Sequence, residues 1–317
     1  MAKKTLLIIT SSSGNTATWA EREVYVENFA NRLEDAQDGL SVLYTTYQDL
    51  EFTVRKGQTA IRSDFHKLDL KQVDLVHFKN WTSNAQDAAI IAQYLDWHGV
   101  PYVNTEVKSG PAYNKISQMF ILASNRLPVP DTFFCYRKHL IKVFEAAKLP
   151  EGFSFPLIMK ANDGSKGDSN FLVRSAKEAL GILATPEESE REFLLQNYHP
   201  NQGDYRILFI GLEADPLVFL RRAGEGSHLN NTSKGGSAEF VELNSMPLDQ
   251  IEMAKKAAEV FKREISGVDI LVDNRTQKAY ILEVNGTPAL ATGFGLEEKL
   301  AKFSDFLAQQ LDAQEEE

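Results

Sequence analysis

The sequence predicts an open, parallel α/β domain followed by a two-lobed α+β body, and three observations carry that prediction. Apolar strand-like runs alternate with amphipathic helical stretches through the first 110 residues, the pattern of a parallel sheet with right-handed crossovers. Beyond Leu127-Pro128-Val129-Pro130 the strand-like runs follow one another with fewer helices between them. The chain has 317 residues, and a single core rarely grows past about 250–300. The expected division is 1–110, 111–195 and 196–317.

Taken in order, TLLIIT (5–10) is a continuous apolar strand ending in Ser11, Ser12, Ser13 and Gly14. A helix is expected from about Trp19 to Leu33, with Val24, Phe29 and Leu33 at helical spacing. Strands recur at about 40–45, 73–78 and 100–103, and a second helix runs from about Ala85 to Trp97 with Ile90, Ile91, Tyr94 and Leu95 inward. A helix from about Ala112 to Asn125 stops at the two prolines, which lack amide donors. Strand 132–136, helix 138–147 and the buried strand FPLIMK (155–160) lead into a polar glycine loop. The last third holds strands at 193–198, 205–211, 217–222, 268–273 and 279–285, with a helix from about Leu248 to Ile265.

Composition narrows the function classes. Hydrophobic residues at 43% and charged residues at 25% are those of a folded chain. A net charge of -10 argues against nucleic-acid phosphates and anionic lipid as general partners. One cysteine, Cys135, excludes an intrachain disulfide or a thiolate metal cluster and points to a cytoplasmic setting. Beside Phe133 and Phe134 it reads as a small buried hydrophobe. The N-terminal apolar stretch is too short for a secretory h-region, and no run reaches the ~18 residues that span a bilayer.

Three local patterns carry chemistry. Glu283 and Asn285 lie two apart on a strand and face one side, with Asp269 near the start of VDILVD. These hard oxygen donors suit Mg2+, and they also suit the polar end of a hairpin. NDGSKGDSN (162–170) follows the strand ending in Lys160. Its Gly164 and Gly167 let successive amides turn inward on a phosphate, with Ser165 between them and Lys166 adding charge; a plain turn has the same composition. Finally, Lys115, Lys160, Arg206, Arg221, Arg222 and Lys234 are basic residues in an acidic protein, either solvated or gathered on a polyanion. Alternation sends Arg221 and Arg222 to opposite faces, and Arg222 is favoured for the cleft.

The order VPYVN, Asn114-Lys115, LPVPDTF, FPLIMK-ANDGSKGDSNF, LLQNYH, DYRILFIG, RRAGEGSHLNNTSKGGSA, GVDIL and LEVNGTPAL resembles the ATP-grasp superfamily, and within it the RimK-type carboxylate–amine ligases. The resemblance spans about 100–292 and implies a pre-ATP-grasp domain followed by a two-lobed ATP-grasp fold holding ATP between its lobes. It further implies that Lys115 and Lys160 touch the phosphates and that the 162–170 loop is the lid. Asn197 and Tyr198 meet the adenine edge with Gln196 nearby, and Asp204 or a neighbour holds the ribose. Arg206, one of Arg221 and Arg222, Asn231 and Lys234 act at the phosphoryl centre. Asp269, Glu283 and Asn285 hold Mg2+, expected as two ions with Mn2+ as an alternative. Such ligases activate a carboxylate as an acyl phosphate, which an amine then attacks, releasing ADP and phosphate.

Four positions depart from the family pattern: Asn114 and Asn197 stand where Asp and Glu are usual, and Leu229 and Ser233 where Arg and His are. The expected function is an ADP-forming acid–amino acid ligase whose substrates are small-molecule or peptide carboxylates and amines, with homo-oligomerisation left open. The alternatives are an ATP-grasp kinase and a nucleotide-binding regulatory pseudoenzyme. The Ser/Gly turn at 11–16 and FKNW (78–81) are expected to wall the acceptor site, with Phe78 and Trp81 as ordinary packing residues the alternative.

Overall fold

The computed structural model describes residues 3–11, 19–56, 58–109, 114–163, 169–224, 230 and 236–313. The N-terminal part contains β1 (Lys4–Thr10), α1 (Trp19–Ala36), β2 (Leu40–Thr46), β3 (Leu50–Arg55), β4 (Gln58–Ser63), β5 (Leu68–Asp69), β6 (Leu75–Phe78), α2 (Ala85–His98) and β7 (Tyr102–Val103). Strands β2-β1-β6-β7 form the expected parallel sheet. Its strands are near-continuous apolar runs because both faces are covered: Leu6 and Ile8 pack with α1, and Leu7 and Ile9 with α2.

Two features of this part differ from expectation. The antiparallel sheet β3-β4-β5 was not anticipated, and Ile90, expected inward on α2, is exposed. Ile91, Tyr94 and Leu95 are buried as expected.

The central part runs α3 (Lys115–Ser124), β8 (Thr132–Phe134), α4 (Arg137–Glu145), β9 (Leu157–Ala161), β10 (Asn170–Val173), α5 (Ala176–Leu183) and β11 (Phe193–Asn197). Its antiparallel sheet has the order β10-β9-β11-β8. Leu157, Met159, Phe193 and Leu195 bury one face against α4 and α5, so alternation turns Ile158, Lys160, Leu194 and Gln196 to the other. Cys135 is free, half-buried and packed against this core.

The last part holds β12 (Asp204–Ile210), β13 (Leu217–Arg222), β14 (Ser237–Val241), α6 (Leu248–Val260), β15 (Ile265–Val272), β16 (Ala279–Asn285) and α7 (Leu296–Asp312). The antiparallel sheet β14-β13-β12-β15-β16 buries Ile207, Phe209, Val268, Ile270 and Val284 against α3 and α6. Helix α6 ends five residues short of the expected Ile265, because Lys262 adopts φ 54, a left-handed geometry that halts a helix. Among the described residues no helix is long and apolar enough to cross a membrane.

The N-terminal part is clamped to the last sheet beside β15 and β16. Asn104 Nδ2 donates to Ile265 O and Gly286 O, both at 2.9 Å, and Asn104 Oδ1 accepts from Ile265 N at 2.7 Å. Buried Glu106 accepts from Arg263 Nε at 2.6 Å, and Arg263 Nη1 donates to Val284 O. Gly286 is required here: a Cβ would stand 2.6 Å from Glu106 Oε1 and 2.9 Å from Arg263 Nε.

Candidate active site

The register of the five-stranded sheet sets out the site. Phe240 pairs with Phe219, Phe219 with Arg206, Arg206 with Asp269, and Asp269 with Glu283. Directly paired residues project to the same face, so one row crosses the sheet from an apolar edge through a cation to two carboxylates. Asp204 and Arg221, paired with each other, lie one step along on that face. A bulge between Asp269 and Ile270 shifts the register; it keeps Ile281 in the core while Glu283 stays opposite Asp269.

Asp269 is the hub of the row. Arg206 grips it with Nε on Oδ1 at 2.7 Å and Nη2 on Oδ2 at 2.8 Å. Arg221 Nη2 adds a third contact on Oδ2 at 2.8 Å, and Arg221 Nε reaches Asp204 Oδ1 at 2.6 Å. Burial opposes ionisation of Asp269, but Arg206 and Arg221 overcome it and hold the carboxyl below its usual range. Burial raises Asp204 instead, with Arg221 opposing.

Arg221 therefore projects to the cleft side, where Arg222 is expected. Arg222 points to the other face, where its exposed guanidinium pairs with Glu239 at 2.6 Å. Alternation separates the two arginines, and pairing with Asp204 selects Arg221.

Lys115 and Lys160 approach the row from the central part. Asn162 joins them: its carbonyl accepts from Lys115 N and its Oδ1 from Ile116 N, both at 3.0 Å, docking the start of α3 on the end of β9. Asn114 caps α3, accepting from Ser117 N at 2.9 Å. An amide oxygen satisfies that donor as a carboxylate would, so the departure at Asn114 keeps the cap. Burial lowers Lys160 to about 8, helped by Lys115 and opposed by Glu283 and Asp269. Burial also lowers Lys115, opposed by Glu283 and Asp163. Both ammonium groups are thus within electrostatic reach of Glu283.

Other expected residues are engaged locally. Gln196 is buried and donates from Nε2 to Thr132 Oγ1 at 2.8 Å. Asn197 donates to Gly152 O at 2.9 Å and accepts from Ser154 N at 3.4 Å. Tyr198 follows β11 and is half-buried. Asn285 Oδ1 accepts from Thr287 N at 2.9 Å. Asp204, considered for a ribose, is taken up by Arg221 and by Asn230 Nδ2 at 3.3 Å. Gly164, Ser165, Lys166, Gly167, Asn231 and Lys234, with Leu229 and Ser233, lie outside the described residues, as does most of the 11–16 turn.

At the carboxyl end of β6, Trp81 is 1% exposed and packs in the N-terminal core rather than walling the cleft. Lys79 does line a cleft with His77, Phe78, Gly286, Thr287 and Pro288, and burial lowers its ammonium to about 8. Lys299 was not anticipated. On α7 it is 7% exposed, lies over the Phe219 ring at 5.5 Å, and is lowered by burial and by Arg206.

The chain has known relatives. A family model described as the RimK-like ATP-grasp domain matches residues 112–301. A probable alpha-L-glutamate ligase of Cellvibrio japonicus (strain Ueda107) is 28% identical over 206 residues, 64% of either chain. One from Syntrophotalea carbinolica is 25% identical over 288 residues, 82% of this chain and 91% of its own. Among solved structures, D-alanyl-alanine synthetase A from Vibrio cholerae superposes with a TM-score of 0.67 at 17% identity, covering 99% of this chain and 98% of that one. The ATP-grasp ligase PsnB with a minimal precursor gives 0.64 at 13%, covering 97% and 99%. The fold is that of the ATP-grasp ligases, and with the family model matching more than half of its residues, the chain belongs to the RimK-like ATP-grasp family.

Proposed function

We propose that the protein is an ATP- and Mg2+-dependent ligase that joins a carboxylate to an amine through an acyl phosphate, releasing ADP and phosphate. The observation that carries this reading is the row Arg206–Asp269–Glu283 approached by Lys115 at the start of α3 and Lys160 on β9. Support comes from the curated relatives named probable alpha-L-glutamate ligase. One structural neighbour is complexed with Mg and ADP, and another with ATP.

The donor set fits Mg2+. Glu283 and Asn285 share a face of β16, and Asp269 stands opposite Glu283. Asp269 accepts three hydrogen bonds from the arginines where a carboxylate offers about four lone-pair sites, so Oδ1 retains one direction. Asp269, Glu283 and Asn285 would hold the metal, which would supply Lewis-acid stabilisation of charge on the phosphoryl group.

The residues of this chain do the rest. Lys115 and Lys160 bind the phosphate chain, and their suppressed ionisation is restored when that anion arrives. Arg206, braced on Asp269, presents a fixed guanidinium edge to the reacting oxygens. Arg221 holds Asp269 and Asp204 in register, a positioning role. Ile158, on the cleft face of β9 beside Lys160, offers an apolar floor for the nucleotide base, with the backbone of Asn197 and Tyr198 at its edge. In this reading the N-terminal part (1–110), central lobe (111–195) and C-terminal lobe (196–317) meet around the nucleotide.

The test is ADP and phosphate release across a panel of carboxylate and amine pairs. Phosphate that appears only when both partners are present supports the ligase. ADP without phosphate, the group being retained on a hydroxyl, would replace it with a kinase.

A further inference from the structure

Beyond Arg206, away from the metal-binding carboxylates, the row ends in an aromatic wall. Phe219 and Phe240 are paired across β13 and β14 with ring centroids 4.9 Å apart, and Phe294 closes on Phe240 at 4.9 Å and on Phe219 at 6.2 Å. Gly295, at φ 72, lets the rings pack on the start of α7: a Cβ there would sit 2.6 Å from Phe240 and 3.0 Å from Phe219. Phe219 is buried, yet Phe240 is 39% and Phe294 48% exposed. Large apolar groups gathered in this way beside a reactive centre mark a surface that something covers.

Lys299 tells what else the occupant carries. Its side chain comes from the first turns of α7, at the end of the helix that repels a cation. Its Nζ donates to Thr292 O at 2.9 Å and lies over the Phe219 ring. Among the described residues no carboxylate lies within 4.0 Å of it. Glu298 is the acidic group that acts on it from a distance, Arg206 acts as a second cation, and Glu297 is paired with Arg32. A buried ammonium without a counter-ion is costly unless a ligand supplies the anion.

We infer that the amine acceptor is an α-amino acid, or a peptide containing one, with a large apolar or aromatic side chain lying on Phe219, Phe240 and Phe294 and a free carboxylate held by Lys299. The inference rests on the ligase reading above. The activated carboxylate belongs at the Asp269–Glu283 end, so a carboxylate at Lys299 is one that survives into the product. Distances agree: neighbouring strands are about 4.8 Å apart, which puts Phe219 about one strand and Phe240 about two strands from Arg206. A large apolar side chain held beside Arg206 therefore meets Phe219 first, with Phe240 beyond it.

The test is calorimetry in ADP and Mg2+, which needs no turnover, with L-phenylalanine, L-leucine, L-glutamate, glycine and L-phenylalaninamide. Phenylalanine and leucine are expected to bind about tenfold or more tighter than glutamate or glycine, and phenylalaninamide about tenfold weaker than phenylalanine. Phe240→Ala and Phe294→Ala, both at exposed positions, should weaken phenylalanine about tenfold, and Lys299→Met should erase the difference between acid and amide. Equal or tighter binding of glutamate, an amide that binds as well as the acid, or no binding by any member overturns the inference. So does light scattering in which either Phe→Ala variant dissolves a dimer while ligand binding is unchanged, since the wall is then a contact between copies. Failure of the ligase reading appears separately, as absence of ADP release with every carboxylate and amine pair.

Discussion

Two buried ion-pair networks share strand β15 and are built to opposite ends. Just ahead of it, Arg263 pairs with buried Glu106, with Asn104 closing the backbone around them. Further along, within β15, Asp269 belongs to a larger group in which Lys115, Lys160, Arg206, Arg221 and Lys299 gather around Asp204, Asp269 and Glu283, with Asp163 and Glu298 also acting on its lysines. The first network joins two parts of the chain. The second gathers lysines and arginines around buried carboxylates inside a protein of net charge -10, an arrangement that suits the proposed polyphosphate site. Acidic balance overall disfavours nucleic acid, while this local cluster of cations suits one small polyanion.

The sharpest break between the networks is Glu283→Ala. Glu283 is half-buried and is a metal donor in the proposed site, so turnover should fall about a thousandfold or more while the thermal midpoint stays near the wild type. Activity within tenfold of the parent would move the metal site elsewhere.

Glu106→Ala should reverse that pattern. It removes the buried carboxylate that Arg263 grips, and breaking such a pair costs about 3–5 kcal/mol. Chemical denaturation should show the loss, with ADP formation by the folded fraction changed only a few-fold. A variant as stable as the parent would mean that the joint is not held by this pair.

The pH response sharpens the comparison further. Burial lowers Lys160 to about 8 from an ordinary 10.5. Without nucleotide, the unfolded chain therefore holds more protons between those values, and this group's contribution to stability rises with pH through the window. Bound phosphates should restore the charge, so kcat/KM for ATP is expected to fall as pH rises through about 8. ATP binding near pH 8 should then take up protons, measured as a buffer-dependent heat. Lys160→Met should abolish the uptake; uptake that persists assigns it to another group.

The smallest effect separates the adjacent arginines. Arg222 forms an exposed pair with Glu239, worth about 0.2–1 kcal/mol, so Arg222→Ala should be near neutral in stability and turnover. Arg221→Ala leaves Asp204 and Asp269 short of a cation and should impair both. Equal effects would return Arg222 to the site.

The arginine pair also shows what a sequence exposes and what it hides. Alternation told that Arg221 and Arg222 part company, but the inward one depends on which residue of β12 lies opposite, and that register is not written in LVFLRR. The parallel sheet was legible because TLLIIT and LVHF are covered on both faces. The β3 hairpin strand was not, because only Leu50 of its six residues is buried, leaving no alternation to read. Asp269, Glu283 and Asn285 stand out through spacing and motif order, and the structure brings Asp269 opposite Glu283. Lys299 escaped because a lysine in an amphipathic helix is assigned to water, and only tertiary packing buries it. Trp81 misled in the opposite sense: its place at a strand's carboxyl end suggested a ligand wall, while the core of α2 claimed the ring.

The central claim is that this site activates a carboxylate by phosphoryl transfer before the amine attacks. It is tested most directly with a carboxylate substrate labelled in both oxygens with the heavy isotope and mass analysis of the released phosphate. One labelled oxygen is expected in each phosphate, carried across when the acyl phosphate breaks down, with ADP as the other product. Phosphate free of label, or label found in AMP, would contradict it.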